Sequence, residues 1–488
     1  MNDPRPSSIN LPAIAQQVMQ AHGFQPDFPP EAQKQLADIS AHPPQLTPSD
    51  KVRDLRNLLW SSIDNDTSKD LDQIEVAERL PNGDVKVMIG IADVDAFVAK
   101  DSPIDRHAKR ETTSVYTGVT IFPMLPNALS TGASSLLPDV DRPAMVVEFA
   151  VNAGGALSSS NVYRAIVRNK AQLTYNAVGA WLDGTAPAPP KVAASSDLQA
   201  QLKLQDQVAQ ALKKLRFTNG ALDLDTDEVI PLFSNGQVVD VEKVKKNRAT
   251  ELIEDFMVAA NGVVARLLEK VSSLRRIVRT PAHWDGIIRL AAEQSEKLPS
   301  TPDSKALNDF LVKRKAADPD HFADLSLAVI KLVGPGEYIL ERPGDSPEGH
   351  FGLAVQDYTH STAPNRRFPD MVTQRLIKAS LDGTPGPYSD NDLAAIALNC
   401  TQKGDAARKV EREMSKRLSA MAMSHRVGET FDAMVTGTTP KGTFVRTAQP
   451  HMEGLLAQGA QGLHVGDKLR VKLTRTDVQH GFIDFVKA

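Results

Sequence analysis

The chain has 488 residues, of which 41% are hydrophobic, 24% are charged and 5% are aromatic, and its formal net charge is −4. This length predicts several domains, and since no apolar run approaches the roughly 18 residues that a membrane helix needs, we expect no membrane association and a cytoplasmic location. The slightly negative net charge does not indicate nucleic-acid binding by the protein surface as a whole, so a polyanion would have to bind in a local basic groove.

The first part of the chain predicts a small helical module over residues 1–53. Two short helices are expected, at residues 11–21 and 30–39, joined by the turn-rich HGFQPDF and followed by the loop HPPQLTPSD. Such a pair could contact nucleic acid as a helix-turn-helix, although helix pairs with short turns are more often scaffolding.

Residues 54–425 mix strands and helices. The runs IEVAERL and VKVMIGIADV flank the turn PNGD, where we expect Asn82 and Gly83 to supply the positive φ angles of a tight hairpin. From residue 248 onward, apolar residues recur at intervals of three and four, which predicts helices that wrap a central mixed sheet. The fold class is therefore α+β with several domains.

The last part of the chain, residues 426–488, changes character. It reads as short alternating strands separated by glycine turns, in VGETFDAMVTGTTPKGTFVRT and VGDKLRVKLTRTDVQHGFIDFVKA. This pattern predicts a separate terminal domain built as a small β-barrel of the OB type.

The segment SSIDNDTSKDLDQ places Asp64, Asp66, Asp70 and Asp72 within nine residues. Carboxylates this close together repel one another, which raises the free energy of the folded chain unless solvent or a cation compensates the repulsion. Asp70 and Asp72 lie two apart, so in extended backbone they point to one face, and Asp64 can reach the same ion across the loop. Mg²⁺ prefers such oxygen ligands and leaves other positions to water and phosphate.

Two alternatives remain open for this cluster taken alone. One is a solvated acidic surface loop. The other is a calcium loop, whose positions one, three, five, seven, eight, nine and twelve would be Asp64, Asp66, Ser68, Asp70, Leu71, Asp72 and Glu75. Against calcium, Lys69 stands where the sharp turn calls for glycine, and a hairpin follows instead of a helix.

Further along, IADVDAF adds Asp93 and Asp95 near a strand end, and YTHSTAPNRRFPDM offers Arg366 and Arg367 beside a proline-framed turn. Two adjacent arginines are suited to bind a phosphate group through several hydrogen bonds. The alternative is that both side chains are surface residues in contact with solvent.

Five collinear segments resemble the RNB catalytic domain of the ribonuclease II and R family, including its exosome-associated relative. They extend from about Asp54 to Ala420, about three quarters of the chain. The segments are DLRNLLWSSIDNDTSKDLDQ, VMIGIADVDAFV, SPIDRHAKRETTSVYTGVTIFPMLPNALSTGASSLLPDVDRPAM, NGALDLDTDEV and HFGLAVQDYTHSTAPNRRFPDMVTQRL. Residues 427–488 resemble the family's terminal S1-type OB domain, which binds RNA, and its basic strand KLRVKLTR suits single strands.

The resemblance implies an exoribonuclease that hydrolyses single-stranded RNA from its 3′ end to nucleoside 5′-monophosphates. It implies Mg²⁺, with Mn²⁺ as a substitute, held by Asp64, Asp70 and Asp72, of which Asp72 is the indispensable one. By the same resemblance, Arg366 holds the scissile phosphate and Arg367 is a supporting cation. We expect no obligate protein partner.

The resemblance also assigns RNA contacts. Tyr116 matches an aromatic residue that stacks on bases near the 3′ end, and Tyr175 and Glu254 match positions that read the ribose hydroxyl. Leu224 lies where an aromatic residue commonly completes the base clamp, and leucine offers contact without a π face, so the length of the final product is expected to change.

Several positions depart from the family pattern. Gln73 stands where a fourth aspartate is usual, which favours as an alternative a catalytically weak or silent RNA-binding relative. The usual serine, isoleucine and histidine around the arginine turn are replaced by Ala363, Asn365 and Gln374. The region before Asp54 is too short for the paired cold-shock OB domains usual in the family.

Overall fold

The computed structural model describes residues 10–44, 47–225, 229–234, 237–243, 246–319, 321–440 and 442–488. The segments HPPQLTPSD and NGALDLDTDEV and the helical module over residues 1–53, which entered the predictions above, therefore lie partly outside the described residues. Among the described residues, no helix is both long enough and apolar enough to cross a membrane.

The helices of the described chain are α1 (Leu11–Ala21), α2 (Pro30–Ala41), α3 (Pro103–Glu111), α4 (Tyr175–Leu182), α5 (Pro190–Ala193), α6 (Ser196–Thr218), α7 (Arg248–Leu267), α8 (Trp284–Glu293), α9 (Ser304–Ala317), α10 (Phe322–Val333), α11 (Phe368–Asp382) and α12 (Asp390–Met423).

The strands are β1 (Val52–Asp54), β2 (Ser61–Asp64), β3 (Gln73–Arg79), β4 (Val85–Ala92), β5 (Val115–Tyr116), β6 (Ile121–Phe122), β7 (Asp141–Val151), β8 (Leu157–Arg168), β9 (Ala171–Thr174), β10 (Val229–Ser234), β11 (Gln237–Lys243), β12 (Ser273–Ile277), β13 (Glu337–Glu341), β14 (Thr430–Thr439), β15 (Gly442–Thr447), β16 (Glu453–Gln458), β17 (Lys468–Asp477) and β18 (Phe482–Lys487).

A mixed sheet forms the centre of the molecule, in the order β1-β8-β7-β4-β3-β2-β9. The strands at both ends pair in parallel, β1 with β8 and β9 with β2, and the pairs between them are antiparallel. Consecutive residues of β3 and β4 are buried, which shows that both faces of the sheet are covered at this point. The helices α6 and α7 contact β3 and β7.

Most of the predicted elements are confirmed, and the α+β class is correct. The hairpin of β3 and β4 forms around Gly83, whose φ is +91°. The prediction was wrong for Asn82, whose φ is not positive; its side chain instead accepts a hydrogen bond from the Asp84 backbone N–H at 3.1 Å. The strands β12 and β13, within the stretch predicted as mostly helical, form an antiparallel pair.

The terminal barrel is closed, in the order β14-β15-β16-β18-β17, which confirms the predicted OB-like barrel. Alternate residues point inward and form a core that includes Val435, Val445, Leu456, Val471, Leu473 and Phe485. This core continues onto the end of α12 through Leu418 and Met423, so the barrel packs against the preceding domain.

The domain boundaries after residues 53 and 425 stay predictions. Strand β1 crosses the first of them and pairs with β8 of the central sheet. Helix α12 ends at Met423, before the second.

A glycine pair tests the packing of the β7–β8 turn on α6. Gly155 has a φ of +86°, and a Cβ there would overlap the Ala211 backbone carbonyl, whereas Gly184, with a φ of +73°, has open space around it. Gly184→Ala should cost about 1 kcal/mol of unfolding free energy through strain alone. Gly155→Ala should cost roughly 1–3 kcal/mol more, because the backbone of α6 must move. Thermal unfolding followed by circular dichroism measures both, and equal midpoints would contradict this packing.

Candidate active site

The aspartate cluster occupies the loop between two neighbouring strands of the sheet. Strand β2 ends at Asp64 and strand β3 begins at Gln73. The Asp64 carboxylate accepts hydrogen bonds from the Ser68 hydroxyl and from the Asn65 backbone N–H, both at 2.8 Å, which curls the loop back on its start. Asp66 is exposed and accepts a hydrogen bond from Asn176 at 2.7 Å.

Asp72 is the most deeply placed carboxylate of the loop, with 2% of its surface exposed. It accepts a hydrogen bond from the Asn365 backbone N–H at 2.9 Å and one from Arg366 Nε at 3.3 Å. Burial raises the pKa of Asp72 to about 7, although the positive charge of Arg366 opposes this rise. The site therefore joins the loop before β3 to the turn before α11.

The Arg366 side chain is 44% exposed even though its guanidinium contacts Asp72. The turn that carries it is held in place by its backbone, since the Arg366 carbonyl accepts from the Ser114 N–H at 3.0 Å. The Asn365 side chain accepts from the Ser134 hydroxyl at 2.6 Å, so this departure from the family pattern finds its own partner. Arg366 thus presents a positive charge to the solvent side of the aspartates.

Tyr116 lies in the short hairpin of β5 and β6. Its hydroxyl donates a hydrogen bond to Asp70 Oδ2 at 3.2 Å, and 39% of the residue is exposed. Burial raises the pKa of Tyr116, and the nearby charge of Asp70 raises it further. An aromatic ring therefore stands next to the carboxylates with part of its surface accessible.

Tyr175 follows the edge strand β9 of the central sheet and lies near the same carboxylates. It begins α4 directly after β9, which pairs in parallel with β2, so that Thr174 lies opposite Asp64. Burial raises the pKa of Tyr175, and the negative charges of Asp64 and Glu75 raise it further. The fold therefore brings together Asp64, Asp70, Asp72, Tyr116, Tyr175 and Arg366.

Arg367 has a different environment from Arg366. Its guanidinium makes two hydrogen bonds to Asp370, at 2.9 and 2.7 Å, and one to the Thr362 hydroxyl at 3.4 Å. The carboxylate of Asp370 is fully buried and neutralises this charge. The role of Arg367 as a supporting cation stays a prediction.

Leu224 and Glu254 line a separate cavity of about 370 Å³. Glu254 pairs with Lys246 at 3.0 Å and with Arg216 at 3.5 Å. Burial favours its protonated form, but the charges of Lys246 and Arg216 outweigh this and lower its pKa. Within the part of the chain that the structure describes, no hydrogen bond or ion pair joins Glu254 to the aspartate loop. The roles of Leu224 and Glu254 in RNA contact stay predictions.

The carboxylates Asp93 and Asp95 are used to hold the fold together. Lys378 of α11 contacts Asp93 at 2.6 Å and Asp95 at 3.0 Å, and Arg375 contacts Asp95 at 2.7 Å. Gln374, another departure from the family pattern, donates to the Ala92 carbonyl at 2.7 Å. These contacts fasten α11 to the end of β4 and so position the turn that carries Arg366.

The side chains of the aspartate loop are of the chemical type that Mg²⁺ prefers. Among the described residues, no group of three His, Cys, Asp or Glu side chains is arranged to hold a metal ion by itself. Magnesium does not need such a group, because it commonly binds one or two carboxylates and completes its shell with water and substrate phosphate. Asp64, Asp70 and Asp72 supply hard carboxylate oxygens of this kind.

The comparisons with known proteins match both the central part of the chain and the terminal barrel. The profile of the RNB domain matches residues 52–383, and that of the RNase II-type exonuclease C-terminal S1 domain matches residues 429–488. The chain belongs to the RNB family. Both predicted parts of the resemblance, catalytic domain and S1-type barrel, are thereby confirmed.

Relatives of this RNB chain include ribonucleases R from several bacteria. The protein from Thermotoga maritima is 29% identical over 100% of this chain and 71% of its own length. The protein from Vibrio cholerae is 30% identical over 91% of this chain and 55% of its own length. The protein from Escherichia coli is 27% identical over 96% of this chain and 61% of its own length. This chain therefore spans between about half and about seven tenths of these relatives.

Solved structures show the same fold. RNase R of Mycoplasma genitalium in complex with ribose methylated single-stranded RNA has a TM-score of 0.87 at 22% identity, covering 99% of this chain and 79% of that one. The same protein in complex with double-stranded RNA has a TM-score of 0.83. Yeast Ssd1, described as a pseudonuclease, has a TM-score of 0.71 at 16% identity, and the match covers 91% of this chain and 54% of that one. RNA-bound and pseudonuclease proteins thus share this architecture.

The buried pair of Arg367 and Asp370 gives a stability prediction. Asp370→Ala should lower the unfolding free energy by about 3–5 kcal/mol, because it leaves a mostly buried guanidinium without its partner. As a control, Asp285→Ala removes an exposed pair with Arg289 and should not shift unfolding measurably. Urea denaturation compares the two variants, and similar midpoints would mean that Arg367 finds another anion.

Proposed function

We propose that this protein is a Mg²⁺-dependent exoribonuclease that hydrolyses single-stranded RNA from its 3′ end and releases nucleoside 5′-monophosphates. The observation that carries the proposal is the contact of buried Asp72 with the half-exposed Arg366, beside the Asp70–Tyr116 hydrogen bond. Membership of the RNB family and the likeness to RNA-bound RNase R support it.

Asp64, Asp70 and Asp72 would hold the cation, which when bound activates water and offsets charge on the scissile phosphate. Arg366 is suited to stabilise negative charge on that phosphate, because Asp72 orients its guanidinium while much of it faces outward. Both protein groups are present in the folded chain before substrate binds, so little reorganisation is needed.

The aromatic residues would position the strand. Tyr116 offers an accessible ring on which a base can stack whatever its identity. Tyr175, near Asp64, would donate a hydrogen bond to a ribose hydroxyl, the group that distinguishes RNA from DNA. In the barrel, β17 exposes the basic side chains Lys468, Arg470, Lys472 and Arg475, which suit an RNA backbone.

A second candidate function is RNA binding without cleavage. The neutral Gln73 at the start of β3 favours it, since an amide binds Mg²⁺ less strongly than a carboxylate. The fold also occurs in a pseudonuclease. Asp64, Asp70 and Asp72 are retained here, and this favours the catalytic alternative.

The direct test is an RNA digestion with matched variants. A 5′-labelled oligonucleotide with a free 3′ end should be shortened in the presence of Mg²⁺ and remain intact with EDTA, and its DNA counterpart should resist. Asp72→Asn should abolish shortening, and Arg366→Ala should lower kcat by on the order of 10²- to 10³-fold. Asp66→Asn is the control in the same loop and should retain activity, because Asp66 is exposed and contacts Asn176.

Intact RNA that stays bound to the wild-type protein in a filter-binding assay would establish the silent relative instead. Shortening that persists in Asp72→Asn would point to a contaminating nuclease or to a different active site.

Leu224 provides a prediction about product length. Leu224→Phe adds a ring on which a base can stack, worth about 1–3 kcal/mol, so short oligonucleotides should be held for a further round of cleavage. We therefore expect a shorter final product on a sequencing gel. Leu224→Met adds length without a ring and should leave the product unchanged. The same product length in all three proteins would show that this cavity does not contact the RNA.

A further inference from the structure

The N-terminal helix pair, which is residues 10–44 with α1 and α2, shares a hydrophobic core with the hairpin that carries Tyr116. Val115, the neighbour of Tyr116 in β5, is fully buried. The other buried members of its cluster come from α1, from the turn after α1 and from α12; they are Ala15, Val18, Met19, Phe24, Ala407, Val410 and Met414. Phe122 of β6 packs against the same cluster. The buried side of the hairpin is therefore supported by both α1 and α12.

Polar contacts join the turn after α1 to residues 111–116, the segment that leads from α3 into the hairpin. The buried carboxylate of Glu111 accepts a hydrogen bond from the Gln25 backbone N–H at 3.0 Å and pairs with Arg110 at 2.8 Å. Arg110 also donates a hydrogen bond to the Gln25 carbonyl at 3.2 Å. Because a buried carboxylate needs hydrogen-bond donors, these contacts fix the start of the segment on the N-terminal helix pair.

The other end of the same segment is fixed at the candidate active site. The Ser114 N–H donates to the Arg366 carbonyl at 3.0 Å, and the Tyr116 N–H donates to Glu411 of α12 at 3.2 Å. Residues 111–116 therefore connect the N-terminal helix pair to the aromatic side chain that is proposed to stack on RNA.

Further contacts attach the turn after α1 to α12. His22 Nε2 lies 3.0 Å from a carboxylate oxygen of Glu413, and the Lys403 ammonium lies 4.4 Å from the centre of the Phe24 ring. Glu411, which accepts the hydrogen bond from the hairpin, lies between Lys403 and Glu413 along α12. The helix pair and the hairpin are thus attached to the same part of one helix.

The charge of the N-terminal helix pair does not suit direct contact with an RNA backbone. Residues 10–44 contain the carboxylates Asp27, Glu31 and Asp38, but Lys34 is their only lysine and they contain no arginine. Binding of a polyanion requires a local excess of lysine and arginine. The contacts of the helix pair with the hairpin therefore point to a different role.

We propose that the N-terminal helix pair positions Tyr116 for stacking on the base at the 3′ end of the RNA, with Met19 and Glu111 as positioning residues. Met19 packs in the cluster that supports the hairpin, and Glu111 anchors the segment that leads into it. The inference rests on the proposed function, because it concerns the side chain that would hold the 3′ end. Without either contact the Tyr116 ring has more freedom, and its stacking on the base is weaker.

The test measures stacking at the 3′ end in the absence of cleavage. A single-stranded RNA with the fluorescent base 2-aminopurine at its 3′ end is titrated with the full chain in EDTA, and stacking on Tyr116 quenches the fluorescence. Met19→Ala and Glu111→Gln should each lose most of this quenching and weaken RNA binding by about 3- to 10-fold. Met88→Ala is the matched control and should quench as wild type, because it shortens a buried methionine of the central sheet outside this cluster.

A double variant distinguishes positioning from general destabilisation. Tyr116→Ala removes the ring, and adding Met19→Ala to it should cause no further loss of RNA affinity, because both changes act through one contact. A merely structural effect of Met19→Ala would instead add to that of Tyr116→Ala.

Thermal unfolding followed by circular dichroism shows which variants are folded at the assay temperature. If Met19→Ala is not, Glu111→Gln carries the test, because it preserves the size of the side chain. Quenching at the wild-type level in the folded positioning variants, together with its loss in Tyr116→Ala, would overturn the proposal.

The outcome is separable from that of the proposed function, because the fluorescence is read in EDTA. Loss of quenching in Met19→Ala and Glu111→Gln, with a wild-type protein that binds RNA without shortening it in Mg²⁺, would uphold the positioning role and reject the nuclease. RNA shortening by wild type, with quenching at the wild-type level in both variants, would do the reverse.

Discussion

The compensation of the buried Asp72 charge is the interaction on which the site depends. A carboxylate with 2% exposure in the centre of a protein needs partners, and it finds them in the Asn365 N–H and the Arg366 guanidinium. These residues are nearly 300 positions away in the sequence. Satisfying one buried charge therefore fixes the turn before α11 against the loop before β3.

A second set of charges maintains that geometry from the other end. Lys378 and Arg375 on α11 are paired with Asp93 and Asp95, which follow directly after β4. Strand β4 pairs with β3, and β3 directly follows the aspartate loop. Helix α11 and the aspartate loop are therefore both attached to the same pair of strands. The residues around Arg366 that depart from the family pattern keep partners within this frame, as Asn365 does with Ser134.

The chemistry of the site depends on how the remaining acidic groups are compensated. The positive charge of Arg366 compensates the carboxylate of Asp72, and the Tyr116 hydroxyl donates a hydrogen bond to Asp70. Asp64 accepts hydrogen bonds from the Ser68 hydroxyl and from the Asn65 backbone N–H. Different protein groups therefore compensate the three carboxylates Asp64, Asp70 and Asp72.

The sequence by itself determined the order of domains, the hairpin of β3 and β4, the terminal barrel and the family, because these follow from local periodicity, turn residues and collinear motifs. It also singled out the aspartate loop and Arg366. Only the tertiary structure decided that Arg367 forms an ion pair with Asp370 and that Asp93 and Asp95 attach α11 to the end of β4. It also decided that Leu224 and Glu254 line one cavity. The same holds for the complete burial of Glu75, which the sequence offered as the last position of a calcium loop. Burial and pairing are properties of contacts between distant segments, and no local pattern encodes them.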